Sequence, residues 1–338
     1  MGPSSMQLHG VATRGGGTRT PRFLGGEPRP GHGSACVSWL PIGASLTWAP
    51  KVPVHALAAP LMISNWRNLV VRKDLLRELA VTELRTSTAQ TKLGWLWWLV
   101  DPFLMMLIYW VIVVELFGRG KDMYAPYWLY IFFGLVTWKH LAGATTRSAH
   151  LFASKKGLIR SVAFPTMVLP LASTIAGFVL FLFGFVTLGV MAVVADLRDH
   201  SGALLPLLQV IPLALLQLLV VAAVAVPISC LGVVYRDFGG LIPHLLRLGF
   251  YLSPGLYGVD LVESGLSRKF GESTGEVLFG AYMLNPFAII ISGYRDAIFY
   301  GRFMEPHYWA VLIVETVLLL ALGNRIFQHY DRRVIKFL

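Results

Sequence analysis

The sequence predicts an all-α polytopic membrane protein of six transmembrane helices, preceded by an N-terminal amphipathic interface helix. Two observations carry this. Of 338 residues, 55% are hydrophobic and only 14% are charged, whereas soluble domains average about 25% charged residues. The mean hydropathy is +0.62, and the apolar residues gather into runs near the roughly 20 residues that a spanning helix needs. Lipid is therefore the main solvent of this chain.

Taken in order, the first element is a segment unlike the rest. Over residues 1–60, Gly15-Gly16-Gly17, Pro28-Arg29-Pro30-Gly31 and Pro50, Pro53 and Pro60 fall without helical period, which predicts a disordered N-terminal extension. Its Pro-broken run from Val37 to Ala49 is a poor match to a secretory signal; translation beginning at Met62 is an alternative account of the same stretch. Residues 61–92 form the next unit. From Asn65 to Arg85, Trp66, Leu69, Val70, Leu76, Leu79, Ala80 and Leu84 recur near helical spacing against Arg67, Arg72, Lys73, Asp74, Arg77 and Glu78, the pattern of a basic amphipathic helix at a membrane surface.

Six apolar stretches fill residues 93–338: Trp95 to Phe117, Tyr127 to Thr146, Leu171 to Ala195, Leu204 to Gly232, Phe238 to Ser253, and Tyr308 to Phe327. The fifth is short for a span. The apolar piece from Asn285 to Tyr300 is shorter than a span as well, so this pair reads as one helix plus a re-entrant or surface-lying segment, which protein or a watery cavity must cover. Lysines and arginines assigned to the side of the first helix outnumber those opposite by fifteen to seven; because positive loops stay cytoplasmic, both termini are expected inside. The net charge of +11 is thereby accounted for by topology and a basic tail, which excludes nucleic acid as a partner.

Motifs for chemistry are scarce. The two cysteines, Cys36 and Cys230, offer neither a disulfide framework nor a thiolate metal site, and the histidines lack the H-E-x-x-H spacing of a metalloenzyme. Neither G-x-S-x-G nor the phosphate-cradling G-x-x-x-x-G-K-[ST] occurs in the sequence. No catalytic or metal-ligating residue is assigned, and if ATP drives this protein the ATPase is another chain. What stands out is polarity at membrane depth: Lys139 and His140 in the second span and Arg247 in the fifth. Ionisable groups there cost about 2.5–3.5 kcal/mol on insertion scales. Lys139 and Arg247 either contact an anionic substrate group or snorkel, or pair with an acid such as Asp101. Aromatic density is the second oddity, with Trp95, Trp97 and Trp98 at one end and Tyr124, Tyr127, Trp128 and Tyr130 at the other. These rings form interfacial belts or line a path on which sugar faces stack.

Particular strings resemble one family. Leu84-Arg85-Thr86 leading to Leu93-Gly94-Trp95-Leu96-Trp97 and Asp101-Pro102 is similar to the entry of type-2 ABC exporter permeases that move lipid-linked polysaccharides, the O-antigen, capsular and teichoic-acid group. Supporting strings are Gly134-Leu135-Val136-Thr137-Trp138, Lys156-Gly157-Leu158-Ile159-Arg160 before Phe164-Pro165, Tyr235-Arg236-Asp237-Phe238, Leu252-Ser253-Pro254, Leu284-Asn285-Pro286 and Tyr294-Arg295-Asp296. The N-terminal extension and the polar Lys139-His140 pair depart from the family pattern.

The resemblance implies a six-span permease that forms a homodimer, docks two copies of a separate cytoplasmic ABC ATPase subunit and binds no cofactor itself, ATP and Mg belonging to the partner. It implies that the first helix flanks the ATPase and that Leu93-Gly94 is a cytoplasmic gate loop. The joint from Ser154 to Val162 then matches a coupling helix, with Lys155, Lys156 and Arg160 as donors and Phe152, Leu158 and Ile159 as an apolar anchor around Gly157. Tyr235, Arg236 and Asp237 match a structural turn, and Ser253 to Arg302 a re-entrant outer region. The expected path residues are Leu93, Gly94, Trp95, Trp98, Lys139, His140, Arg247 and Tyr251, with Arg85, Lys92 and Arg247 meeting the substrate phosphate. The expected location is a bacterial cytoplasmic membrane. Rival readings are an exporter of a drug or small amphipathic lipid, and a membrane glycosyl or acyl transferase.

Overall fold

The computed structural model describes residues 73–89, 92, 94–116, 118, 127–161, 165–196, 205–235 and 237–337. Expectations placed on residues 1–72, on Leu93, on the side chain of Trp95 and on Arg236 lie outside them. Every regular element described is helical: α1 (Lys73–Ala89), α2 (Trp97–Trp110), α3 (Tyr127–Ser154), α4 (Lys156–Ser161), α5 (Val168–Asp196), α6 (Val210–Val234), α7 (Phe238–Leu252), α8 (Val259–Phe270), α9 (Glu272–Tyr282), α10 (Pro286–Ile298) and α11 (Pro306–Phe337). A π-helical turn over Val111–Leu116 extends α2, and a 3-10 turn over Leu205–Gln209 leads into α6.

Among the described residues, four stretches are long and apolar enough to cross a membrane: Trp97–Leu116, Val168–Val190, Leu205–Val234 and Pro306–Asp331. The pair α9 and α10, bent by 94° at their junction, makes a fifth if counted as one. The chain is thus a polytopic α-helical membrane protein. Two expected spans differ, each for a physical reason. Helix α3 is 28 residues long and runs past Thr146, but Lys139, His140 and Arg147 break its apolarity; it sits in the middle of the bundle, packed by α2, α5, α6 and α7. Helix α7 has only 15 residues, about 22 Å at 1.5 Å per residue against a hydrocarbon core of about 30 Å. It stops because Ser253 turns extended and Pro254 follows.

The core has two parts. The larger is centred on α3 and includes Leu129, Phe133, Val136, Phe181, Phe185, Leu213, Ile289 and Tyr294; the smaller joins Phe152, Val168, Val226 and Phe327 to Leu75, Leu76 and Leu79 of α1. Close helix contact depends on glycine at three points where a Cβ would collide with a neighbouring carbonyl oxygen: Gly134 against Gly255, Gly232 against Ala149 and Gly323 against Ala223. Small residues allow such approach where lipid supplies no hydrophobic drive between helices.

Contacts sort the connections into two ends. At one, Glu83 of α1 pairs with Lys155 before α4, Thr166 hydrogen-bonds Asp331 late in α11, and the Tyr235 and Tyr330 hydroxyls lie 3.3 Å apart. At the other, Gln209 donates to the Arg302 carbonyl at 2.7 Å and accepts from the Met304 amide at 2.9 Å, tying the start of α6 to the start of α11.

Candidate functional site

The polar residues at membrane depth fall into two settings. The first is internal. Tyr294 of α10 donates to Gln217 Oε1 of α6 at 2.8 Å, and Gln217 Nε2 stands 3.1 Å from His140 Nδ1 of α3 and 3.4 Å from the Thr137 carbonyl. Gln217, His140 and Tyr294 are all buried, and the His140 ring stacks on Phe181 and packs at a tilt against Phe178. This chain of hydrogen bonds joins three helices. His140 therefore faces the core between α3, α5 and α6 rather than an open surface.

Arg295 belongs to the same setting. It is only 2% exposed, so it is a buried cation and not one of the loop charges that set topology. Its guanidinium donates to the carbonyls of Pro254, Gly255 (2.9 Å), Tyr257 (3.0 Å) and Tyr130 (3.3 Å) and lies 3.5 Å from the Tyr130 ring centroid. A planar cation with five donors suits a ring of main-chain oxygens. The turn after α7 is held against α3 in this way. Asn285 reinforces it: its amide donates to Ser253 Oγ at 2.8 Å while its oxygen caps α10 through the Phe287 amide at 3.0 Å, with Pro286 at the first helical position. Three of the strings that carried the resemblance, around Ser253, Asn285 and Arg295, thus meet in one structure. Beside it, a hydrogen bond from Arg302 to Asp296 Oδ1 at 2.7 Å holds the Arg302 guanidinium above the usual arginine range.

The second setting is open. Lys139 pairs with Asp101 of α2 at 2.7 Å and donates to the Trp98 carbonyl at 3.2 Å, with its ammonium 5.3 Å from the Trp98 ring. The Asp101 side chain is 60% exposed. Farther along α2, Tyr109 and Tyr251 of α7 share a hydrogen bond between hydroxyls at 3.0 Å. From there hydroxyls continue: Tyr257 donates to the Tyr251 carbonyl at 2.9 Å, and Tyr282 reaches Tyr257 at 3.5 Å. Trp138, the neighbour of Lys139, packs on Gly249 and Phe250 of α7. Arg247 lies exposed on α7 and makes no hydrogen bond among the described residues, though it is near enough to Tyr109 to act on it electrostatically. One face, floored by α3 and flanked by α2 and α7, therefore gathers Trp98, Lys139, Arg247 and Tyr251. Sequence reading missed Asp101 as a member of the face, treating it only as a partner for Lys139, and missed Tyr109; tyrosines opposite a lysine and an arginine on neighbouring apolar helices were the available signal.

At the α1 end, Gly94 has φ +52°, a backbone that favours glycine, and Lys92 and Arg85 are exposed. Lys155 pairs with Glu83 at 3.4 Å, Ser154 Oγ caps its own helix at the Leu151 carbonyl, and Lys156, Gly157, Leu158 and Arg160 are exposed on α4. Phe152, expected in the apolar anchor, is instead fully buried and Ile159 packs on the smaller core, leaving Leu158 as the exposed apolar residue of α4. Tyr235 and Asp237 form the short joint between α6 and α7.

Fold and site together define a multi-pass helical membrane protein with a tyrosine-lined polar face on one side and a basic joint at one end. No protein-family profile matches the chain. It is similar to the O-antigen export system permease protein RfbA of Myxococcus xanthus, 25% identical over 270 residues that cover 79% of this chain and 96% of that one. Two proteins of the same name from Klebsiella pneumoniae are 25% and 24% identical over 80% of this chain and 97% of their own lengths. The resemblance read from the motifs is borne out.

Proposed function

We propose that this chain is the membrane-spanning permease subunit of an ATP-driven exporter of a lipid-linked polysaccharide. The observation that carries the reading is the extent of the match: relatives named as O-antigen export permeases align over nearly their whole length. The chain crosses the inner membrane six times in this reading, with α3 as the second crossing and α7 to α10 together as a broken fifth. The contacts that gather α1, Lys155, Tyr235 and Tyr330 at one end, and Gln209 with Arg302 at the other, support it. Both termini are then cytoplasmic.

Two copies would assemble with two ATPase subunits, α4 being the part that enters the ATPase. The face between α2 and α7 would line the path. An exposed carboxylate and an exposed guanidinium within apolar helices cost too much against lipid, so water or a second copy must meet them. Tyrosine rings with polar tips suit a glycan that is apolar on its faces and hydroxylated at its edges.

The test is reconstitution of the full-length chain with an ABC ATPase subunit encoded in the same organism. Stimulated ATP hydrolysis and export of labelled glycan are expected. Failure of the two chains to co-purify or to couple hydrolysis to transport refutes the reading. Charge reversal of Lys156 and Arg160 together should abolish ATPase binding while leaving the permease monodisperse; unchanged binding removes α4 from the interface.

A further inference from the structure

We propose that the seam between α3 and α5 is a binding site for the phosphate of a membrane phospholipid, built around Arg147. The inference is independent of what the protein transports. Arg147 lies seven residues before the end of α3 at Ser154, about 10 Å along the axis at 1.5 Å per residue, on the end of the bundle that carries α1 and α4. Its guanidinium crosses to α5. A Cβ at Gly177 would collide with one terminal nitrogen, and a Cβ at Gly143 would stand 3.0 Å from the other. The two glycines therefore make a slot that the guanidinium fills.

Inside that slot the cation has no acceptor. Arg147 makes no hydrogen bond or ion pair among the described residues, and Ser173, one turn before Gly177 on the same face of α5, is 1% exposed with its hydroxyl unpartnered. The His140 ring, edge-on within 3.7 Å of the Gly177 site, closes the seam toward the core. A guanidinium brings five donors, and those of Arg147, which is part-buried, find no protein acceptor among the described residues, so water or an anion must meet them. The acidic group that bears on Arg147 is Glu83, and Glu83 is already paired with Lys155 at 3.4 Å. Two cations thus share one carboxylate, and the balance is one positive charge.

An anion answers both deficits, and a phosphate offers several acceptor oxygens to a planar fork. A lipid is the source the surroundings favour. The outer side of α5, exposed at Val179, Val186 and Val190, is apolar, so an acyl chain can lie along the same membrane-crossing helix that carries the slot. The slot lies toward the end of α3 that carries α1 and α4 rather than at its middle.

The test uses the full-length chain in neutral detergent, titrated with phosphatidylglycerol, with diacylglycerol and with inorganic phosphate while the unfolding midpoint and bound lipid by native mass spectrometry are followed. Phosphatidylglycerol should bind and raise the midpoint, and diacylglycerol should do neither. Arg147→Met should weaken that binding roughly ten- to a hundredfold, the range of a lost charge-assisted contact. Arg147→Lys, which keeps the charge but not the fork, and Ser173→Ala, which leaves the cation in place, should each weaken it less and serve if the methionine variant does not fold. Equal stabilisation by inorganic phosphate overturns the lipid assignment. Binding unchanged in Arg147→Lys and Ser173→Ala, or no response to phosphatidylglycerol in the parent chain, overturns the site.

Discussion

Arg295 and Arg247 are both arginines in the second half of the chain, both surrounded by apolar sequence, and their settings are opposite. Arg295 is enclosed, with four carbonyls as acceptors and a tyrosine ring beneath it. Arg247 stands exposed on α7 without a hydrogen bond among the described residues. Lys139 and His140, adjacent in sequence, divide in the same way: one reaches the open face through Asp101, the other is locked to Gln217 in the core. Depth in the membrane therefore does not mark a functional cation. What distinguishes the two groups is whether the protein itself satisfies them.

The comparison breaks most visibly at the two arginines. Arg295→Met should cost about 3 kcal/mol or more, since several buried carbonyls lose their donor at once, and should show as aggregation or a large drop in unfolding midpoint. Arg295→Lys should rescue little, because one ammonium cannot span the same fork of acceptors. Arg247→Ala should leave the midpoint within about 0.5 kcal/mol of the parent and lower export; a stable variant with normal export removes Arg247 from the path.

The internal network comes next. Gln217→Leu strands the Tyr294 hydroxyl and a His140 nitrogen, at a cost of about 1–3 kcal/mol for each group left unsatisfied. Chemical denaturation of detergent-solubilised protein reads this directly, and a neutral outcome would mean that water replaces the amide. Smaller still is Tyr251→Phe, which removes one bond between hydroxyls at the open face and should cost about 1 kcal/mol. Its effect on export should exceed its effect on stability.

The smallest effect is expected at Lys139 and Asp101. Their carboxylate is 60% exposed, so a double-mutant cycle of Lys139→Gln with Asp101→Asn should give a coupling of about 0.2–1 kcal/mol. A coupling of several kcal/mol would mean that the pair is shielded in the assembled protein, and the division drawn above would then need redrawing at this point.

Much of the fold was legible in the sequence because burial in lipid demands long apolar runs, and α2, α5, α6 and α11 each supply one. Helix α1 was legible through its period, and its end beyond Arg85 was missed by a turn because Thr86, Ser87 and Thr88 carry no apolar signal; Thr86 and Ser87 instead bond back to carbonyls of the preceding turn. Helix α3 was read as an ordinary span because hydropathy cannot tell a helix surrounded by protein from one surrounded by lipid. Phe152 was placed at a docking surface for a related reason: the joint is short and basic, but which of its apolar residues faces inward depends on α5 and α11. The face between α2 and α7 was half legible. Lys139, Arg247 and Tyr251 were singled out one by one, yet nothing in a linear pattern places Tyr109 opposite Tyr251, 142 positions away.

The grip of Arg295 has a consequence for how this protein can change. It holds main-chain oxygens of Pro254, Gly255 and Tyr257, and every residue has such an oxygen. The clamp is therefore blind to the side chains it holds. Substitutions at Leu256 or Tyr257 can alter what this loop presents while the bend of the chain stays where it is, so the loop is free to diversify around a fixed hinge point.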